Sequence, residues 1–211
     1  MSNKPDGRKR ILKAAIKIFS EKSFDGARIS DISKAANVPG SLIYYHFKSK
    51  EDILEVLIDN FLAEFTQLSQ IAKNDSHSEK PKNIVNRLEN HYFNFAQNNV
   101  ELIRIILFES LKKNVEKPPI FKFVEGLLEN DGEAIKSSKS YNLDERRVAE
   151  FFTSLLPMCF FLCFKKQWCD YFYISQKDLN LLFTNIIAET HGAYHKNRIE
   201  GDDYEGVNYP D

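Results

Sequence analysis

The chain has 211 residues, 43% of them hydrophobic and 28% charged, and a formal net charge of −1. That length and balance suit one or two soluble domains with a sizeable buried core. The opening Met1-Ser2-Asn3-Lys4-Pro5 is basic and polar with no apolar run behind it, which argues against a signal peptide. The most apolar run, Phe151–Phe164, is interrupted by Thr153, Ser154 and Pro157. It is too short for a membrane span and reads as a buried helix. The expected location is therefore the cytoplasm, with no membrane partner.

Apolar residues recur at spacings of three and four from end to end, so an all-α chain is expected, without strands. Ile11, Ala15, Ile18 and Phe19 mark the first helix face, and Gly26 is its stop signal. Ile32, Ala35 and Ala36 mark a second, shorter helix, closed by the turn residues Asn37-Val38-Pro39-Gly40. A very short helix follows over residues 41–46. Ser49 is placed to cap the next one, with Glu51 and Asp52 beside the positive end of its dipole. That helix continues through Ile53, Leu54, Leu57, Ile58, Phe61 and Phe65.

A polar break covers residues 74–81. Helices then restart on Ile84, Leu88, Tyr92 and Phe95, on Leu102, Ile103, Ile106 and Leu111, and on Phe121, Val124, Leu127 and Leu128. Asp144 is the expected cap of a long apolar helix to about Lys166, kinked at Pro157. Ser175 caps a last helix striped by Leu179, Leu182, Phe183, Ile186 and Ile187. Residues 197–211 read as an acidic, disordered tail.

Charge is unevenly spread. Residues 1–50 hold eleven lysines and arginines against four carboxylates, while the rest of the chain holds eighteen against twenty-six. A basic first quarter on an acidic body suits a polyanion partner at that end; a solvated basic face is the plainer alternative.

Residues 28–47 carry the sharper signal. A helix-turn-helix needs small residues where its helices meet, which Ala35 and Ala36 supply, and an apolar plug in the turn, which Val38 supplies. Its second helix must anchor by one face and offer the other to a groove. Ile43 and Phe47, four apart, form the anchor. Gly40, Ser41, Tyr44, Tyr45 and His46 are left to face outward, where hydroxyls and imidazole can meet phosphates and base edges. Lys48, Lys50 and the amides opening the next helix sit where a DNA backbone would pass.

The stretches Ile11-Leu-Lys-Ala-Ala-Ile-Lys-Ile-Phe19, Phe24-Asp-Gly-Ala-Arg-Ile-Ser-Asp-Ile-Ser-Lys-Ala-Ala-Asn-Val38 and Ser41-Leu-Ile-Tyr-Tyr-His-Phe-Lys-Ser-Lys-Glu-Asp-Ile-Leu54 resemble the DNA-binding domain of TetR-family regulators. The match covers roughly residues 8–57. The resemblance implies an N-terminal three-helix DNA-binding domain, a helical C-terminal domain, a homodimer, and repression relieved by a small ligand. Carried over by position, it implies that Arg28 and Ser30 approach DNA from the second helix. Gly40, Ser41, Leu42, Tyr44, Tyr45 and His46 would lie on the recognition helix, and Lys50 would touch phosphate. Three positions depart from the family's usual pattern. Leu42 stands where Thr is common, offering a thymine methyl an apolar contact instead of a hydroxyl. Gly40 stands where a longer polar residue is common. Arg28 stands where Thr often caps the second helix, so that Ser30 is the substitute cap. The expected division is a DNA-binding domain over 1–50, a regulatory and dimerisation domain over 51–196, and the tail.

Beyond the motif, the last two long helices are the natural dimer seam, with intrachain core as the plainer use of the same stripe. Nine aromatic residues fall within 151–173, a density that suits an apolar or aromatic effector. Phe108, Phe152, Phe161 and Trp168 are the candidate contacts, against the simpler reading of a filled core. Cys159, Cys163 and Cys169 form no CxxC and read as buried free thiols. His191 and His195 are four apart with Glu189 nearby, a spacing that can bind a metal. The sequence places no third ligand, so a solvated or interface pair is expected, with no metal and no cofactor. No nucleophile–base pair, phosphate loop or paired-carboxylate site points to an enzyme. The expected function is a ligand-responsive transcriptional regulator that binds a pseudo-palindromic duplex. A helical protein-interaction module is the alternative, and it would have no need of the basic segment.

Overall fold

The computed structural model describes residues 6–74, 93–113, 115–129, 136 and 142–200, except for the side chains of 69, 72–74 and 196–200. Every regular element among them is helical, as the periodicity predicts: α1 (Gly7–Gly26), α2 (Ile29–Ala36), α3 (Gly40–His46), α4 (Lys50–Asn74), α5 (Phe93–Asn98), α6 (Val100–Ser110), α7 (Phe121–Glu129), α8 (Leu143–Ala149), a π-helical turn (Glu150–Leu155), α9 (Leu156–Phe172) and α10 (Gln176–Glu200). The residues expected to restart a helix at 84, 88 and 92, and the tail beyond 200, lie outside the described residues; α10 itself runs through 197–200.

The chain forms two compact units. The first comprises residues 1–67 with 96–123, and the second comprises 68–95 with 124–211. The first is built on α1, whose buried face is Ile11, Leu12, Ala14, Ala15, Ile18 and Phe19. Ile32 of α2, Ile43 of α3 and Ile53 of α4 are fully enclosed in the same unit. Burying such a side chain stabilises the fold by ~1.5–3 kcal/mol. Leu102, Ile103, Ile105, Ile106 and Leu107 give α6 a buried stripe, and α6 packs on α1. Phe61 and Phe65 of α4 meet Phe123 of α7, with ring centroids 5.2 and 6.0 Å apart.

Helix ends follow local chemistry. The regular part of α1 stops earlier than Gly26: Ser23 takes φ 60°, ψ 163°, and its hydroxyl accepts the Gly26 N–H at 3.3 Å. Ser49 caps α4 as expected, accepting the Asp52 N–H at 3.2 Å. Ser175 caps α10, accepting from Asp178 N at 3.1 Å and donating to its carboxylate at 2.7 Å. Asn142, not Asp144, caps α8, because its side-chain oxygen takes both the Asp144 and Glu145 amides at 3.0 Å.

In the second unit α8, the π turn and α9 form one continuous helix of 30 residues. Pro157 has no N–H for the carbonyl four residues back, and its ring would strike that carbonyl. The backbone widens just ahead of it, so that Leu156 N donates to Phe151 O, five residues back. The expected kink is thus met by a π turn. One 18-residue stretch of it has a mean hydropathy of 1.5, a value that core helices of soluble proteins also reach. The apolar run is therefore longer than the interruptions in the sequence suggest, and it is not a wholly buried helix. Leu155, Cys159, Leu162 and Cys163 face inward, while Phe152, Phe160 and Phe164 are exposed. Helix α10 divides likewise: Leu179, Thr184, Ile187 and His191 are buried, and Leu181, Leu182 and Ile186 are exposed. Phe93, Phe161 and Phe183 form the aromatic centre of this unit, with Phe161 and Phe183 stacked at 3.9 Å.

Candidate nucleic-acid interface

Helix α3 has seven residues, too few to stand alone in water. Two anchors hold it: Ile43, fully enclosed, and Phe47, with 2% of its surface exposed. The turn before it is built from α2. Asn37 adopts the left-handed conformation at φ 51°, and Ser33 Oγ donates to Val38 O at 2.7 Å. Arg10 reaches across from α1 and donates to the carbonyls of Ala36 and Asn37, the last of the helix and the first of the turn. Val38 is half-buried as a plug. Of the two small residues only Ala36 is buried; Ala35 points to solvent, so one alanine suffices where the helices meet.

With the anchors inward, Tyr44 and Tyr45 are forced outward, 62% and 81% exposed. Ser41 is exposed beside them. His46 is half-buried, edge-on to Tyr45 at 5.0 Å. Leu42 is also half-buried: a Cβ added at Gly7 would sit 3.0 Å from its Cδ2. It therefore lies against the start of α1 and closes α3 onto it. Gly40 has nothing within 4 Å of an added Cβ, so a side chain there would enter open space.

Arg28 and Ser30 are exposed at the start of α2. Neither side chain caps that helix. Asp31 does so instead, accepting the Arg28 N–H at 3.3 Å and pairing with Lys22 at 3.0 Å. Those contacts hold its carboxyl below the usual carboxylate range, chiefly through the hydrogen bond from Lys22.

Lys50 is placed differently from the phosphate contact expected of it. Its ammonium donates to the carbonyls of Phe24 at 2.7 Å, Ala27 at 3.2 Å and Asp25 at 3.4 Å. It also lies 4.4 Å from the centre of the Phe24 ring. It closes the carboxyl end of α1, where the backbone has left orphan carbonyls. Lys112, just past α6, braces the same corner by pairing with Asp25 at 2.8 Å and Glu109 at 2.7 Å. Lys48 remains exposed. At the start of α4 the Asp52 amide is already engaged by Ser49 Oγ, and the Asp52 carboxylate takes the Lys48 N–H at 2.7 Å. Arg10 and Lys50 count toward the basic segment in the sequence, yet both serve as internal clamps. Their carbonyl partners lie 23 to 27 residues away in the chain, so local sequence carries no signal for that role.

The four candidate effector contacts are divided between the two units. Phe108 belongs to the first unit and is exposed. Phe161 is committed to its stack with Phe183. Phe152 and Trp168 are exposed on the second unit. Cys159 and Cys163 are buried and Cys169 is half-buried. Burial, helped by the neighbouring Cys163, pushes the Cys159 thiol up to about 12, which makes it unreactive.

The histidine pair acquires a partner that spacing could not show. Glu150 of the π turn brings Oε2 to 3.5 Å from His191 Nε2 and Oε1 to 3.3 Å from His195 Nε2. Burial would raise the Glu150 carboxyl, but the His195 hydrogen bond and the charges of His191, His195 and Arg146 outweigh it and hold the carboxyl below its ordinary value. Glu189, the neighbour suggested by sequence, is exposed and outside this group.

Residues 11–57 match the family model described as bacterial regulatory proteins, tetR family. The HTH-type transcriptional repressor NicS of Pseudomonas putida is 31% identical over 108 residues, 51% of this chain and 50% of that protein. The HTH-type negative transcriptional regulator IcaR of the icaADBC biofilm operon, from Staphylococcus epidermidis, is 35% identical over 69 residues, 33% of this chain and 37% of IcaR. The chain thus spans half or less of the length of these curated relatives. The solved structure of the transcriptional regulator FadR from Bacillus subtilis, in complex with stearoyl-CoA, superposes with a TM-score of 0.58 at 18% identity, covering 92% of this chain and 99% of FadR. That likeness establishes a shared fold: an N-terminal helix-turn-helix followed by a helical body. Its α1–α4 segment, residues 11–57, thus matches the DNA-binding domain of the tetR family of bacterial regulatory proteins.

Proposed function

We propose that the chain is a homodimeric, cytoplasmic transcriptional repressor whose α3 reads the major groove of a pseudo-palindromic operator, and that a small effector releases it. The observation that carries this reading is the division of α3. Ile43 and Phe47 are buried, and Ser41, Tyr44 and Tyr45 are exposed on a helix too short to be there for packing. Tyr44, Tyr45, His46 and Ser41 are assigned base and phosphate contacts, as is any side chain placed at Gly40; Arg28 and Ser30 approach from α2, and Lys48 meets the backbone. Leu42 and Lys50 are assigned to holding α3 and α1 in place. Repression is favoured by the names of NicS and IcaR, both negative regulators.

The dimer is assigned to α9 and α10. Phe160, Phe164, Trp168 and Phe172 recur every four residues along one exposed face of α9, and Leu182 and Ile186 are exposed on α10. Apolar area of that kind costs free energy while wet and is relieved by a second copy. The effector is assigned to the aromatic second unit, as an apolar or aromatic molecule, with Phe152 as the available contact and Trp168 taken up by the dimer face; FadR, of the same fold, was solved with an acyl-CoA. No catalytic step forms part of this reading. A mobility shift on the DNA flanking the coding region tests it: the chain retards that duplex, and an unrelated duplex competes poorly. Equal competition by unrelated DNA would reduce α3 to a non-specific basic helix.

A further inference from the structure

We infer that Glu150, His191 and His195 form a binding site for a divalent transition-metal cation of the zinc class. Their ligand atoms lie within 4.8 Å of one another. His195 Nε2 is 2.9 Å from His191 Nε2 and 3.3 Å from Glu150 Oε1, and His191 Nε2 is 3.5 Å from Glu150 Oε2. A tetrahedral zinc with bonds of ~2.0–2.1 Å spaces its ligand atoms by about 3.4 Å. Two of the three spacings therefore already suit a shared ion, and the imidazoles need to part by about half an ångström. Two imidazoles and one carboxylate are borderline nitrogen and oxygen donors, suited to zinc, cobalt or nickel rather than calcium or magnesium.

The surroundings support the assignment. Glu150 and His191 are buried, a position that polar groups take up only with partners. The π turn carries both Glu150 and Thr153. Thr153 Oγ1 donates to Ala149 O at 2.7 Å, so it accepts at 2.8 Å from His191 Nδ1. That bond puts the His191 proton on Nδ1 and leaves Nε2 deprotonated, as a ligand nitrogen must be, where it accepts from His195 Nε2 at 2.9 Å. A second partner on the far ring nitrogen is what orients a metal-ligating histidine.

Arg146 is the feature that opposes a cation. It pairs with Glu150 Oε1 at 3.3 Å and donates to His195 Nδ1 at 2.9 Å. With Nδ1 accepting, a neutral His195 carries its proton on Nε2. Binding requires that proton to move to Nδ1 and Arg146 to give up this hydrogen bond. No net proton leaves the site.

The test uses the untagged full chain, stripped with a chelator and titrated with Zn²⁺ by calorimetry and with Co²⁺ by visible absorption. One equivalent per chain is expected, with d–d bands of a nitrogen–oxygen site in the cobalt form. His195→Gln, at the most exposed of the three ligands, should weaken binding by about 100-fold, and Thr153→Val by about 10-fold. Arg146→Gln should tighten binding, a gain that a merely structural network would not produce. The proposal is overturned by no saturable binding, by binding that His195→Gln leaves intact, or by a cobalt–thiolate charge-transfer band, which would place the ion on the cysteines instead. None of these outcomes depends on DNA binding.

Discussion

Both compact units expose aromatic side chains, but of different kinds. On α3 of the first unit they are tyrosines, each with a hydroxyl at its tip, beside an imidazole, on a seven-residue helix whose other face is enclosed. On α9 of the second they are three phenylalanines and a tryptophan spaced every four residues along a much longer helix, with one tyrosine, Tyr171, outside that spacing. Polar-tipped rings on a short, pinned helix suit a wet, charged partner that offers hydrogen bonds. Bare rings in a continuous stripe suit another apolar surface of equal length. Exposure alone would not separate the two; the chemistry at the tip of the ring does.

The largest effect should come from breaking the first surface alone. Tyr44→Ala with His46→Ala should lower operator affinity by about 100-fold or more, since each good base contact is worth ~1–3 kcal/mol. Gel filtration of the same sample should show the dimer intact; retained binding would place recognition elsewhere. Breaking the second surface is the converse. Phe164→Glu with Trp168→Glu should convert the dimer to a monomer by light scattering, with helix content by circular dichroism unchanged. A dimer that survives both charges would move the interface off α9.

A smaller effect sharpens the role of the enclosed face of α3. Ile43→Ala should destabilise the first unit by ~2–5 kcal/mol in denaturant unfolding, because its cavity has no room to collapse. The smallest effects separate two lysines two residues apart. Lys50→Met should lower stability by about 1–2 kcal/mol through the uncapped carbonyls of α1. It should leave the salt dependence of DNA binding unchanged. Lys48→Ala should leave stability alone and reduce that salt slope by about 1.

Periodicity and turn chemistry made the helices and the anchors of α3 legible, because Ile43 and Phe47 lie one turn apart and Asn37-Val38-Pro39-Gly40 can only turn. The same signals could not say where long cations end up. Arg10 and Lys50 look identical to DNA-facing residues in the sequence, and their targets are backbone carbonyls 23 to 27 residues away. Nor could they foresee that Asp31 would take the capping role from Arg28 and Ser30. Pro157 advertised a disturbance in the long helix but not its form. The π turn it provokes turns Glu150 toward two histidines some forty residues on. That third partner is a tertiary fact, invisible to i, i+4 spacing.

The central claim is that residues 28–47 bind duplex DNA specifically through α3. Fluorescence anisotropy with the flanking duplex, read across about 50–200 mM salt, tests it most directly. The predicted result is a steep, linear fall of log Kobs with log salt for the flanking duplex. Binding to a scrambled duplex should be weaker at every salt concentration. Salt-independent binding, or no binding by an intact dimer, would contradict the claim.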